Sequence, residues 1–279
     1  MDFYLPGMIH IDGKTGRYPA ISITGKKCSL GCLHCRGRLL QNMIHLDTEE
    51  EFINVIKKLE KKDMLGALIT GGCNKEGKLP WERFLPVIQN LDTPLFLSAH
   101  AGLNVDKKTA KGMKNSPLSR VLIDVVFDPN TLKEIYRLKD PDIVKKSVDN
   151  LFEYGPVVIP HIIAGIYWGK IKSEYETLDV LAQYDPEMLV IVVVMPLNPV
   201  FFYPSVEEIV SLFREARRKF KKISLGCARP RGKYRHKLEE KLIEEKLIDR
   251  MALWSDRAID VAKRNNEVIN FHYTCCSVK

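Results

Sequence analysis

Nowhere in its 279 residues does the chain hold an apolar run long enough to span a bilayer. Its opening residues carry neither the basic patch nor the apolar core of a secretory leader. Membrane insertion and export are therefore not expected, and a cytoplasmic protein is. No internal repeat, low-complexity segment or interdomain linker is visible, which argues against solenoids and strings of modules. RNA-binding motifs and interleaved aromatics are missing too, so no nucleic-acid partner is expected. Acid is in short supply, with 35 acidic residues against 43 basic ones and a formal charge of +8. The deficit is local: between Arg214 and Lys237 eleven basic residues face a single acid, Glu215. Such a stretch is either a solvated helix face or a dock for an acidic partner.

What is present is ordinary in bulk. Hydrophobic residues make up 45% and charged residues 28%, enough for one large α/β domain or two small ones. Seven cysteines stand out. In a reducing compartment thiols serve as metal ligands more often than as disulfides, and an odd count agrees with that.

Three of the seven, Cys28, Cys32 and Cys35, follow C-x3-C-x2-C spacing. The spacers are long enough to fold back and too short to form structure of their own, so the thiolates can converge on one small inorganic centre. Thiolates select zinc, copper(I) or iron–sulfur clusters. Structural zinc wants four protein ligands, usually as two pairs. A cubane on three cysteines has a fourth iron with no protein ligand. A zinc loop completed from elsewhere, or a pair of redox thiols, is the plainer reading.

The rest of the chain alternates continuous apolar runs with amphipathic helices. Strands are expected over 20–24, 65–70, 95–98, 121–127, 157–163 and 189–195, and a seventh over 223–226. Helices are expected from Thr48, over 80–90, 143–154 and 178–184, and over the stretch capped by Ser205 and Glu208. Thr48 and Glu51 form a capping box ahead of the face Phe52, Val55, Ile56, Leu59. Residues 238–265 read as charged and helical, followed by a tail over 273–279. This pattern predicts a parallel sheet buried on both faces, closed into a barrel or most of one. Unusual residues fall just after the expected strands: the cysteine loop, Gly71-Gly72-Cys73, His100, Asp128, His161 with Gly165, Asn198 and Cys227. In a parallel α/β barrel that edge is where active sites are built.

The four remaining cysteines, Cys73, Cys227, Cys275 and Cys276, are scattered in sequence. Two follow strands at that edge and two sit on a tail that can fold back to it. Together they can hold a second iron–sulfur cluster. Vicinal Cys275 and Cys276 would strain to ligate one iron, so three protein ligands are expected, with Ser277 a remote fourth. Buried inert cysteines and a disordered tail are the plainer alternative.

The cysteine loop resembles the signature of the radical SAM superfamily, with His34 where an aromatic residue is usual. That resemblance implies a [4Fe-4S] cluster whose open iron takes the amino and carboxylate groups of S-adenosylmethionine (SAM), and release of a 5′-deoxyadenosyl radical. It also implies SAM contacts from Gly71 and Gly72, where the family carries a glycine pair followed by Glu and this chain has Cys73. Further contacts would come from His34, from the fifth-strand segment His161–Gly165, and from Asn198 after the sixth strand; His161 fits a satisfied core histidine equally well.

More of the chain resembles the biotin-synthase-related group: the run 23–25, the run 35–40, Gly71-Gly72-Cys73, the run 224–230 and the terminal Cys275-Cys276-Ser277. That group is similar to the archaeal two-protein lipoyl synthases, and this chain resembles the C8-acting partner. The implied fold is α/β, a partial (β/α)6 TIM-like barrel over 19–226. A lead over 1–18 precedes it, and a helical extension with its cysteine tail over 227–279 follows. The implied reaction is insertion of the first sulfur at C8 of a protein-bound octanoyl chain, with a second [4Fe-4S] cluster as sulfur donor. The implied partners are an octanoylated lipoyl carrier domain, a second radical SAM protein and a reduced ferredoxin-type donor. The alternatives are another radical SAM reaction, such as a biotin-synthase-like one, or a non-catalytic metal-binding scaffold.

Overall fold

The computed structural model describes residues 1–195, 197 and 200–278. Its strands are β1 (Asp2–Tyr4), β2 (His10–Ile11), β3 (Lys14–Thr15), β4 (Ala20–Ser22), β5 (Ile44–His45), β6 (Gly66–Thr70), β7 (Phe96–His100), β8 (Leu118–Asp124), β9 (Val157–Ala164), β10 (Leu189–Val193), β11 (Ile223–Leu225), β12 (Arg250–Ala252) and β13 (Asn270–His272). Its helices are α1 (Glu49–Lys61), α2 (Trp81–Gln89), α3 (Lys107–Lys114), α4 (Pro129–Glu134), α5 (Ile143–Tyr154), α6 (Glu174–Ala182), α7 (Val206–Lys219), α8 (Lys233–Glu244) and α9 (Asp256–Arg264). Strands β2 and β3 make a small antiparallel hairpin. The other eleven form one parallel sheet in the order β13-β1-β12-β11-β10-β9-β8-β7-β6-β4-β5.

Helix starts follow local chemistry. Thr48 and Ser205 each accept the N3 backbone N–H while Glu51 and Glu208 reach back, giving α1 and α7 full capping boxes. Phe52, Ile56 and Leu59 then bury one face of α1. The sheet itself is curled. Tyr4 of β1, Ala252 of β12, Val190 of β10, Ile159 of β9 and Leu122 of β8 share one apolar cluster, and Leu68 of β6 packs against it. In a flat sheet β1 and β6 would stand about 34 Å apart at seven strand spacings. These side chains meet because the inner face is concave, making a partial barrel whose helices cover the outer face.

The expected partial barrel is therefore present, with two differences. First, the stretch 238–265 is not wholly helical. α8 stops at Glu244, Lys246 turns in the left-handed region (φ 54°), and Arg250–Ala252 pairs between β11 and β1. A three-residue strand is too short to show alternation, so neighbouring charged helices masked it. Residues 2–4 were likewise invisible as a strand, yet they pair with both β12 and β13 and draw the two ends of the chain together.

Second, β8 ends at Asp124 rather than near Phe127. Asp128 is consequently a helix cap, accepting the Thr131 N–H at 2.7 Å and pairing with Lys172 at 3.0 Å. The acid at the strand end is Asp124.

Candidate active site

The cysteine loop leaves β4 and is tied to its surroundings through backbone. Cys73 lies on the turn after β6, and its carbonyl accepts the N–H groups of Ser29 (2.9 Å) and Leu30 (3.1 Å). The Leu33 N–H reaches the carbonyl of Ile135 at 2.9 Å. Gly72 donates to Thr24 Oγ1 at 2.7 Å and lies flat against the loop. A Cβ at Gly72 would sit 2.1 Å from the Lys27 carbonyl oxygen and 2.6 Å from Cys28 Cβ. Only glycine permits that approach. Gly72 thus seats the cysteine loop itself.

This packing gathers four thiols. Cys32 is buried, and Cys28, Cys35 and Cys73 are half-buried. Burial pushes the Cys32 thiol up, and Cys35, Cys28 and Cys73 add to the effect. The Cys73 thiol is pushed up to about 12, first by burial and then by Cys28. Crowded thiols are protonated on their own, and a metal centre deprotonates its ligands on binding. Cys73, expected among the second set, stands beside the first.

A second group forms where the tail enters the concave face. Cys276 packs in the inner apolar cluster, and residues 276–278 are buried. Two buried arginines hold the segment. Arg250 Nη1 donates to the carbonyls of Cys276 (3.0 Å) and Val278 (2.7 Å). Arg120 Nη1 reaches the Ser277 carbonyl at 3.4 Å, while its Nη2 pairs with Glu187 at 2.9 Å. The Cys275 thiol is brought down to about 6 by the neighbouring Cys276 thiol, against the opposing effect of burial. The Ser277 hydroxyl, 3.0 Å from Cys275 Sγ, and His100 help. Cys276 is pushed up by Cys275, by burial and by Cys227. Cys227 follows β11 and is exposed; its thiol is raised by the surrounding protein and by Cys275. Cys227, Cys275 and Cys276 are thus brought together, apart from the loop set.

Imidazoles and one carboxylate lie on three adjacent strands between the two groups. His100 Nε2 is 3.5 Å from Asp124 Oδ1, and the rings of His100 and His161 are 5.9 Å apart. Register places His161 directly opposite Asp124. Burial works against the Asp124 charge, but His100, His161 and His34 hold its carboxyl below the usual range. His100 is correspondingly raised by Asp124 in spite of burial. His161 is lowered to about 4 by burial and by His100, and its Nδ1–H donates to the Ile159 carbonyl at 3.0 Å. His34 meets Tyr136 edge-on at 5.4 Å, its buried Nδ1 has no hydrogen-bond partner, and burial lowers it to about 4.

The other expected contacts divide. Gly165 turns the chain after β9 at φ 78°, and its N–H is taken by Glu174 Oε1 at 2.7 Å. A Cβ there would meet Pro204 at 2.5 Å. Asn198 lies outside the described residues. Asp124, Arg120 and Arg250 were not singled out from sequence. The signal for the first two was Arg120-Leu122-Asp124, which puts two charges on alternate positions of an apolar strand, all on the inner face.

Among the described residues no three His, Cys, Asp or Glu groups converge closely enough for a single metal ion. The donors in the loop set are all sulfur and lie within one short loop, a donor chemistry that suits an iron–sulfur cluster. No described helix is long and apolar enough to cross a membrane.

No family model and no curated protein matches the chain. Solved structures do. Methylornithine synthase (PylB) superposes with a TM-score of 0.58 at 16% identity, over 91% of this chain and 82% of its own. Streptococcus suis SuiB bound to its precursor peptide SuiA gives 0.55 at 12% identity, over 88% of this chain and 51% of SuiB. The chain therefore spans about half of SuiB and about four fifths of the synthase, and it shares the TIM-like partial-barrel fold of both.

Proposed function

We propose that this protein is a radical SAM enzyme that inserts sulfur into an unactivated C–H bond, at C8 of an octanoyl chain carried on a lipoyl domain. The observation that supports it most is the pair of separate thiol groups, Cys28/Cys32/Cys35 and Cys227/Cys275/Cys276, facing one concave sheet. When bound, the first [4Fe-4S] centre with SAM supplies a carbon radical and the second supplies the sulfur.

The chain's own residues do the rest. Cys28, Cys32 and Cys35 would hold the first centre, and Gly72 fixes the loop that carries them. The tail, held by Arg120 and Arg250, brings Cys275 and Cys276 to Cys227. Asp124, His100 and His161 line the space between, and the buried tail segment 276–278 covers the inner face beside them. A second radical SAM protein completes the cofactor, and a ferredoxin-type protein supplies electrons.

The carrier's dock follows from charge. Of the basic residues between Arg214 and Lys237, most are already neutralised: Arg214 by Glu245, Arg217 by Asp249, Arg218 by Glu215, and Lys237 by Glu207. Lys219 and Lys221 meet Asp179 and Asp185, while Arg229 and Arg235 share Glu239. Lys222, Arg231 and Lys233 have no carboxylate partner among the described residues. Arg231 and Lys233 flank the start of α8, a few residues after Cys227, and are the acidic carrier's anchors.

The test is an anaerobic reaction of the reconstituted protein with SAM, a reductant and octanoylated carrier domain. Formation of 5′-deoxyadenosine together with a C8-thiolated acyl chain is expected. Deoxyadenosine without sulfur on the chain would favour another radical SAM reaction, and neither product would favour a metal-binding scaffold.

A further inference from the structure

Cys73 is left without a task by the arrangement above. It stands apart from the tail thiols, yet it is not an inert buried cysteine, because it lines a cleft of about 410 Å³ with Thr24, Lys27, Ser29 and Gly72. Its backbone is pinned to the cysteine loop by the Ser29 and Leu30 N–H groups. Gly72, one residue before it, is in van der Waals contact with Cys28. The backbone that carries its thiol is therefore set by the same contacts that set the loop, and the Cys32 thiol feels Cys73 together with Cys28 and Cys35.

We propose that Cys73 is an exchangeable fourth ligand of the centre held by Cys28, Cys32 and Cys35, filling the open corner when SAM is absent. This rests on reading the three-cysteine loop as an iron–sulfur site. A cubane has four irons, three cysteines cover three of them, and the next thiol fixed against that loop is Cys73. Thiolate is a strong ligand for iron. SAM, arriving through its amino and carboxylate groups, replaces it. The iron–sulfur bond to Cys73 would break and two bonds would form from the amino nitrogen and a carboxylate oxygen, with the proton that the SAM ammonium gives up on binding balancing the one the departing Cys73 thiolate takes up. Neither iron nor sulfur changes oxidation state. The resting centre is thus kept from losing its labile iron, and the corner opens only to a chelating ligand.

The test uses electron paramagnetic resonance of the reconstituted protein after mild oxidation, which reads loss of one iron as a [3Fe-4S] signal. The comparison is Cys73 against Cys73→Ser in a chain carrying Cys227→Ala, Cys275→Ala and Cys276→Ala, so that only the loop centre is filled. Without SAM the serine variant should give a several-fold larger [3Fe-4S] signal, and saturating SAM should remove the difference. Equal signals without SAM overturn the proposal. If the triple background does not fold by circular dichroism, the same comparison is made in the full chain, where the increment due to Cys73→Ser is read. A loop that takes up no cluster in any variant would instead overturn the reading of the site itself.

Discussion

The two thiol groups are built in opposite ways. Cys28, Cys32 and Cys35 lie within eight residues, and a single close approach by Gly72 completes their seat. Cys227 and the Cys275-Cys276 pair are far apart in the chain. They meet only because β1 inserts between β12 and β13 and two buried arginines hold the tail's carbonyls. The first group is a local device, and the second is a product of global topology. The loop site should therefore survive lesions that abolish the tail site, and lesions confined to the loop should leave the tail site intact.

The largest effect should come from Glu239, which anchors the extension from inside. It is fully buried and binds Arg229, Arg235 and Ser255. Burial opposes its charge, but the two arginines and the serine hydroxyl keep its carboxyl below the ordinary value of 4.5. Its contribution is thus complete above that pH and is lost as pH falls through the lower folded value. Glu239→Gln should cost about 3–5 kcal/mol in urea unfolding at neutral pH and flatten the acid limb of the stability profile. An unchanged acid limb would mean another group governs it.

Arg250→Met comes next. It strips a charged donor from the carbonyls of Cys276 and Val278, at about 2–3 kcal/mol. Alkylation of Cys276 should quicken while that of Cys32 stays as it was. Equal quickening at both would merge the two groups into one cooperative unit and end the comparison.

Gly72→Ala should cost about 1–3 kcal/mol, because the new methyl meets Lys27 backbone and Cys28. Iron should be lost from the loop site alone, read as iron per chain with the tail cysteines intact. Arg218→Glu should have the smallest effect. Its partner Glu215 already neutralises it at the surface, so stability should change by about 1 kcal/mol or less, with carrier affinity hardly altered. Arg231→Glu with Lys233→Glu should weaken carrier binding, measured by titration calorimetry at low salt.

Legibility in the sequence follows the same division. The loop cysteines, the capping boxes at Thr48 and Ser205, and α5 with its boundaries are local features that spacing and periodicity report directly. The partial barrel was legible for the same reason, since long apolar runs alternate with amphipathic helices. β1, β12 and β13 were not, because three-residue strands carry no period and are defined only by their neighbours. Asp124 was missed through a three-residue error in one strand end, which moved attention to Asp128. The basic stretch misled because sequence counts charges without showing their partners, and Glu239, Glu245, Asp249 and Glu207 lie outside the window that looked so positive. Cys73 was grouped with the scattered cysteines because distance along the chain hides its contact with the loop.

The most direct test of two separate centres is iron and labile sulfide per chain after anaerobic reconstitution, in the wild type and in the variant carrying Cys28→Ala, Cys32→Ala and Cys35→Ala. Two cubanes predict about eight irons falling to about four. About four falling to none would leave a single centre on the loop, remove the sulfur donor, and contradict the account of the tail as a second site.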